Sequence, residues 1–94
     1  MVKLVLTWDI QRGKTPEYVE FTVSEFFPAL TRQGLTITDM WSTLVGSGPQ
    51  ILVAGTLPSI EAAQRLVHSS EYGELKRRLM QYIANYAYAI RPNP

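Results

Sequence analysis

Few side chains in this 94-residue sequence could do chemistry, and they are scattered along it. His68 is the single histidine and the one side chain that titrates near neutrality unperturbed. It could carry protons, or it could border a helix break within His68-Ser69-Ser70-Glu71. Asp9 and Asp39 lie near strand ends, where a carboxylate is solvated unless something encloses it; enclosed, it becomes a shifted base. Trp8 and Trp41 could stack on a flat molecule or fill a core, and Trp8, on the most apolar face of its strand, reads as core. Tyr72, Tyr86 and Tyr88 offer phenols to a pocket, or pack with a wet tip.

Other chemistry is excluded by composition. With no cysteine there is no disulfide, thiolate site or thiol nucleophile, and one histidine leaves no credible metal site. No serine sits in a nucleophile elbow. Gly46-Ser47-Gly48-Pro49 leads into a strand and lacks a following Lys-Ser/Thr, so it reads as a hairpin connection rather than a phosphate loop. The net charge is +1 with both signs interspersed, which is not the basic stripe of a nucleic-acid binder. No apolar run approaches the ~18 residues of a membrane span. Met1 runs directly into a strand, so no signal peptide is expected, and the reading is cytoplasmic. No cofactor, nucleic-acid partner or membrane partner is expected.

The elements that must position these residues follow from periodicity. Lys3–Ile10 is a β run with Leu4, Leu6, Trp8 and Ile10 on one face and Lys3, Val5, Thr7 and Asp9 on the other. Thr15–Gln33 is helical, with Thr15 as N-cap, Pro16 in the first turn and Gly34 as the terminating residue. Its stripe is Val19, Val23, Phe26, Phe27 and Leu30. Pro28 should kink or break it near Ser24–Phe27. Leu35–Val45 and Gln50–Leu57 are β runs; in the first, Leu35, Ile37, Asp39, Trp41 and Thr43 share a face. Ser59–Ile83 is helical, capped by Ser59, with an apolar stripe through Ile60, Ala63, Leu66 and Val67 and a break near Ser69–Gly73. Asn85–Arg91 closes as a strand.

This βαββαβ order is that of an α+β, ferredoxin-like plait: a four-stranded antiparallel sheet with two helices on one face. Residues 1–94 read as one domain. Phe26, Phe27, Leu30, Leu66, Leu75 and Leu79 should form the sheet–helix core. The second sheet face has no helices to cover it. Because 46% of the chain is hydrophobic and only 18% charged, against ~25% in ordinary soluble domains, that face implies pairing with a second copy about a two-fold axis.

The run Ala62-Ala63 … Leu66 … Ser69-Ser70-Glu71-Tyr72 … Leu75, ahead of a final aromatic strand, resembles the second half of dimeric α+β-barrel proteins. Those include antibiotic-biosynthesis monooxygenase-like, NIPSNAP-like and stress-responsive members. The first helix, with its late Pro28 and Gly34, is similar too. The resemblance implies a homodimer whose sheets enclose a barrel, with room for a ligand.

Three functions are then open. One is binding or cofactor-free oxidation of a planar aromatic or polyketide-like molecule. Another is a non-catalytic dimeric module with a filled barrel. The third is haem binding and degradation through His68, although the haem-degrading pattern wants an asparagine in the first strand, where Asp9 is the nearest polar residue. A pocket is expected where the break at His68–Gly73 meets the strand ends. His68 and Asp9 would handle protons there, and Trp41, Tyr72 and Trp8 would bind the ligand.

Overall fold

The computed structural model describes residues 1–93. Its elements are β1 (Val2–Ile10), α1 (Thr15–Phe21), a π-helical turn (Thr22–Phe26), α2 (Phe27–Arg32), β2 (Thr36–Ser42), β3 (Ile51–Leu57), α3 (Ile60–His68), α4 (Ser70–Leu79) and β4 (Ile83–Pro92). The four strands form one antiparallel sheet in the order β2-β3-β1-β4. This is the ferredoxin-like plait, an α+β fold.

Alternation along β1 sorts the two faces. Val2, Leu4, Leu6 and Trp8 are buried and belong to one apolar core with Phe26, Leu30, Leu66, Leu75 and Leu79 of the helices. Phe27 packs at its margin, half-buried. The opposite face, without helices, carries two complete cross-sheet rows. Asp39, Ala54, Val5 and Ala89 are register partners in one, and Trp41, Leu52, Thr7 and Ala87 in the other.

The first helical stretch departs from the expected stripe. The structure buries Tyr18, Phe21, Thr22, Phe26, Ala29 and Leu30, while Val19 and Val23 are exposed. The π turn is the cause: it spends one extra residue, so the inward phase before it lies one position earlier than a regular helix gives. Phe27 N–H accordingly donates to Thr22 O, five residues back. Pro28, which has no N–H for the ladder, follows directly. The expected disturbance thus takes the form of a π turn rather than a break. Lys14, not Thr15, occupies the N-cap position. At the other end Gly34, at φ 101°, makes a Schellman closure: Gly34 N–H donates to Thr31 O and Leu35 N–H to Leu30 O.

A bulge corrects the faces of β2. Ile37 pairs with Gly55 and Asp39 with Ala54, leaving Thr38 as the extra residue. Ile37 therefore lies on the helix side with Leu4, while Asp39 and Trp41 lie on the open side. The second helical region breaks at Ser69, an extended residue that accepts from Tyr72 N–H as the N-cap of α4. Ser59 caps α3 by accepting from Ala62 N–H. Ile60, placed in the apolar stripe by periodicity, is exposed. Helix α4 also stops earlier than expected, at Leu79, and β4 already begins at Ile83.

Candidate functional site

The sequence-derived site residues fall into four separate places. Asp9 closes β1, where its carboxylate accepts from Gln50 N–H at 2.7 Å and from Asn85 Nδ2 at 2.8 Å. These two donors, Asn85 foremost, hold its pKa below the ordinary carboxylate value. Asn85 sits in the left-handed region at φ 58°, beside the β4 irregularity that faces the Thr7–Asp9 stretch. Every hydrogen bond of this carboxylate thus serves to fasten strand ends.

His68 is exposed at the end of α3, with Nδ1 2.9 Å from Gln64 O. It borders the helix break rather than a pocket. A cavity of about 280 Å³ near that break is lined by Gln33, Ala62, Arg65, Leu66, Ser69 and Glu71. Gln33 leads into the start of β2, which pairs with the end of β3, and that segment in turn pairs with the start of β1. Asp9 lies at the far end of β1. The structure therefore does not gather His68, Asp9 and Trp41 around one opening, and the expected pocket at the helix break is corrected to that extent. The cause is topological: the α3–α4 junction faces the other end of the sheet.

Trp8 and Tyr72 are brought together, inside the core. Trp8 is fully buried and stacks on Tyr86 with ring centroids 6.5 Å apart. The Tyr86 and Tyr72 hydroxyls meet at 2.6 Å. Burial and the neighbouring phenols push the Tyr72 pKa well above that of free tyrosine. On its other side Trp8 Nε1–H donates to the Tyr18 hydroxyl oxygen at 2.9 Å. An aromatic chain Tyr18–Trp8–Tyr86–Tyr72 therefore crosses the space between sheet and helices. Phe26 packs edge-on against Trp8 at 6.0 Å.

One end of that chain reaches a concave surface. Tyr18, Val19, Thr22, Val23 and Phe27 of the first helical stretch face Met40, Trp41 and Ser42 of β2 and Ile51 of β3 across a groove of about 230 Å³. Its walls are chiefly apolar, and Val19, Val23, Met40 and Trp41 are all exposed. Such a concave apolar surface with a few hydroxyls is the usual form of a small-molecule site. Trp41 stands on the edge strand, so it borders both this groove and the open sheet face. Tyr18, Val19, Val23 and Met40 escaped the sequence reading because the π turn and the β2 bulge each move a face by one residue. Pro28, so close to the π turn, was the signal that could have exposed the first shift. Among the described residues no group of His, Cys, Asp or Glu side chains is placed to hold a metal. No helix among them is long and apolar enough to cross a membrane.

No family model matches this sequence, and no curated protein does. Solved structures match it over nearly its whole length at low identity. An uncharacterised NIPSNAP-domain protein from Burkholderia xenovorans superposes with a TM-score of 0.75 at 15% identity, covering 100% of this chain and 95% of that one. A dabb-family protein with a ferredoxin-like fold from Mesorhizobium loti gives 0.77 at 9% identity, covering 99% and 96%. A dimeric protein of unknown function and ferredoxin-like fold from Bacteroides fragilis gives 0.66 at 13%, covering 98% and 95%. The chain shares the fold of these proteins, two of which are described as ferredoxin-like.

Proposed function

We propose that this protein is a homodimeric module that takes a small, flat, apolar molecule into the groove between its first helical stretch and β2. Two copies would join through their helix-free sheet faces. One observation carries the reading: the chain leaves apolar surface uncovered in two adjoining places, and Trp41, 67% exposed, stands where they meet. On the open face Val5, Thr7, Leu52 and Ala89 are half-buried and Ala54 is buried outside the core. Small side chains in flat rows let a second sheet approach closely, and a two-fold axis makes such a patch self-complementary. A stable pairing covers on the order of 800 Å² per partner. The structural neighbour from Bacteroides fragilis is itself described as dimeric, which supports a pairing of two copies.

His68 and Asp9 have no part in this reading, since the one borders a helix break and the other fastens strands. Haem ligation through His68 is accordingly not favoured. Sedimentation at micromolar concentration should give a species of twice the chain's mass. Methyl-selective NMR with the bicyclic hydrocarbon indane should move the Val19, Val23 and Met40 methyl signals first. A monomer throughout that range, or indane shifts spread evenly over the surface, would overturn the corresponding half of the proposal.

A further inference from the structure

The groove carries one polar group whose hydrogen bonding is only half complete. Tyr18 is 6% exposed and lines the groove. Its oxygen is already occupied as an acceptor by Trp8 Nε1–H at 2.9 Å. A phenol is donor as well as acceptor, and among the described residues the Tyr18 proton has no acceptor. Tyr18 lines the groove itself, and Trp8, whose Nε1–H it accepts, pairs in register with Ile51, another groove residue. Of the groove's other two hydroxyls, on Thr22 and Ser42, neither is hydrogen-bonded to the phenol, and Thr22 Oγ1 donates instead to the backbone carbonyl oxygen of Tyr18 (2.9 Å).

From this half-satisfied phenol we propose that the groove selects flat apolar molecules bearing a carbonyl oxygen, with Tyr18 O–H as donor to that oxygen. This rests on the reading of the groove as a ligand site and adds the class of ligand. Three features favour a carbonyl over other groups. The free position on Tyr18 is a donor, so it needs an acceptor. The walls supplied by Val19, Val23, Phe27 and Met40 are uncharged, and they would penalise a carboxylate or an ammonium left without a counter-ion. The Trp8 N–H bond fixes the phenol's orientation and, by withdrawing charge from its oxygen, strengthens it as a donor. A buried donor left unpaired costs free energy that a complementary ligand recovers, and sites built around such a group reject analogues lacking the partner.

The test compares 1-indanone with indane, two flat bicyclic molecules that differ by one carbonyl oxygen. Titrations followed on the Val19 and Val23 methyl signals should show 1-indanone binding about tenfold more tightly, the weight of one good hydrogen bond. Its C=O stretch should move to lower frequency in the complex, a readout that needs no variant. In Tyr18→Phe the affinity ratio of the two ligands should collapse toward unity. If both ligands enter the groove equally well and the carbonyl stretch stays at its solution value, the groove stands as a site and the role of Tyr18 is overturned. If neither ligand moves the groove methyls, the site reading itself fails and the inference falls with it.

Discussion

The two faces of the sheet are built from the same four strands but obey different rules. On the helix side, Leu4, Leu6, Trp8, Val53 and Leu57 interlock with helix side chains and are nearly inaccessible. On the open side, the two complete rows hold three alanines, one threonine, one valine and one leucine, with Asp39 and Trp41 at their β2 ends, and Lys3 pairs with Asp39 at 3.4 Å. One face is closed within the chain, whereas the other carries no helices. If the proposed pairing holds, stability resides on the first face and recognition on the second: removing a methyl group should be felt at any concentration on the first and only in the dimer on the second.

Core truncation tests this contrast most strongly. Leu79 is fully buried against the sheet, so Leu79→Ala should cost about 2–5 kcal/mol, lost transfer energy plus a cavity. Val5→Ala on the open face should cost under ~0.5 kcal/mol at dilutions where the chain is monomeric, the usual scale for surface positions. Its loss should grow as concentration rises and dimers form. Urea midpoints measured across a dilution series decide the matter. Equal, concentration-independent losses at the two positions would erase the distinction between the faces.

A second, intermediate effect tests how tightly the helix side is closed. Gly55 lies on that side opposite Leu4 and Ile37. A Cβ placed there would sit 2.7 Å from the Thr36 carbonyl oxygen and 2.8 Å from the Leu35 side chain. Because backbone cannot give way as a flexible side chain can, Gly55→Ala should cost about 1–3 kcal/mol through overpacking. At Gly73, where an added Cβ meets nothing within 4 Å, alanine should be neutral or slightly stabilising in the helix. Thermal unfolding of the two variants side by side gives the answer, and a harmless Gly55→Ala would show the β2–β3 seam to be loose.

Much of the fold was legible in sequence because its signals are local and periodic. Alternation of Leu4, Leu6 and Trp8 marks the covered face, Ser59 and Ser69 mark helix starts, and Gly34 marks a helix end. The site was less legible because it depends on two single-residue insertions, the π turn at Thr22–Phe26 and the bulge at Thr38. Neither alters composition, yet each rotates every later side chain to a new face. Periodicity, carried straight through them, placed Val19 and Val23 inside and Ile37 beside Trp41. Likewise, His68 and Asp9 attract notice by residue type alone, whereas Tyr18, the half-satisfied phenol, is ordinary until Trp8 is seen to occupy its oxygen.

The smallest effect concerns the strand ends, held by polar fastening rather than by either face's packing. The Asp9 carboxylate receives Asn85 Nδ2–H and Gln50 N–H, while Gln50 Oε1 accepts from Ile10 N–H at 2.9 Å. Both donors favour the charged form, so the folded pKa lies below the ordinary 3.8. A depressed carboxylate contributes stability that is complete above its unfolded pKa and is withdrawn as pH falls through the folded one. Asp9→Asn keeps the shape, removes the charge and turns one acceptor into a donor facing other donors. The variant should therefore be less stable than wild type at neutral pH, with the gap narrowing steadily below about pH 4. Urea midpoints for the two proteins across that acid limb measure it. A gap that stays constant with pH would mean that the charge on Asp9 contributes nothing, leaving the strand ends held by backbone pairing alone.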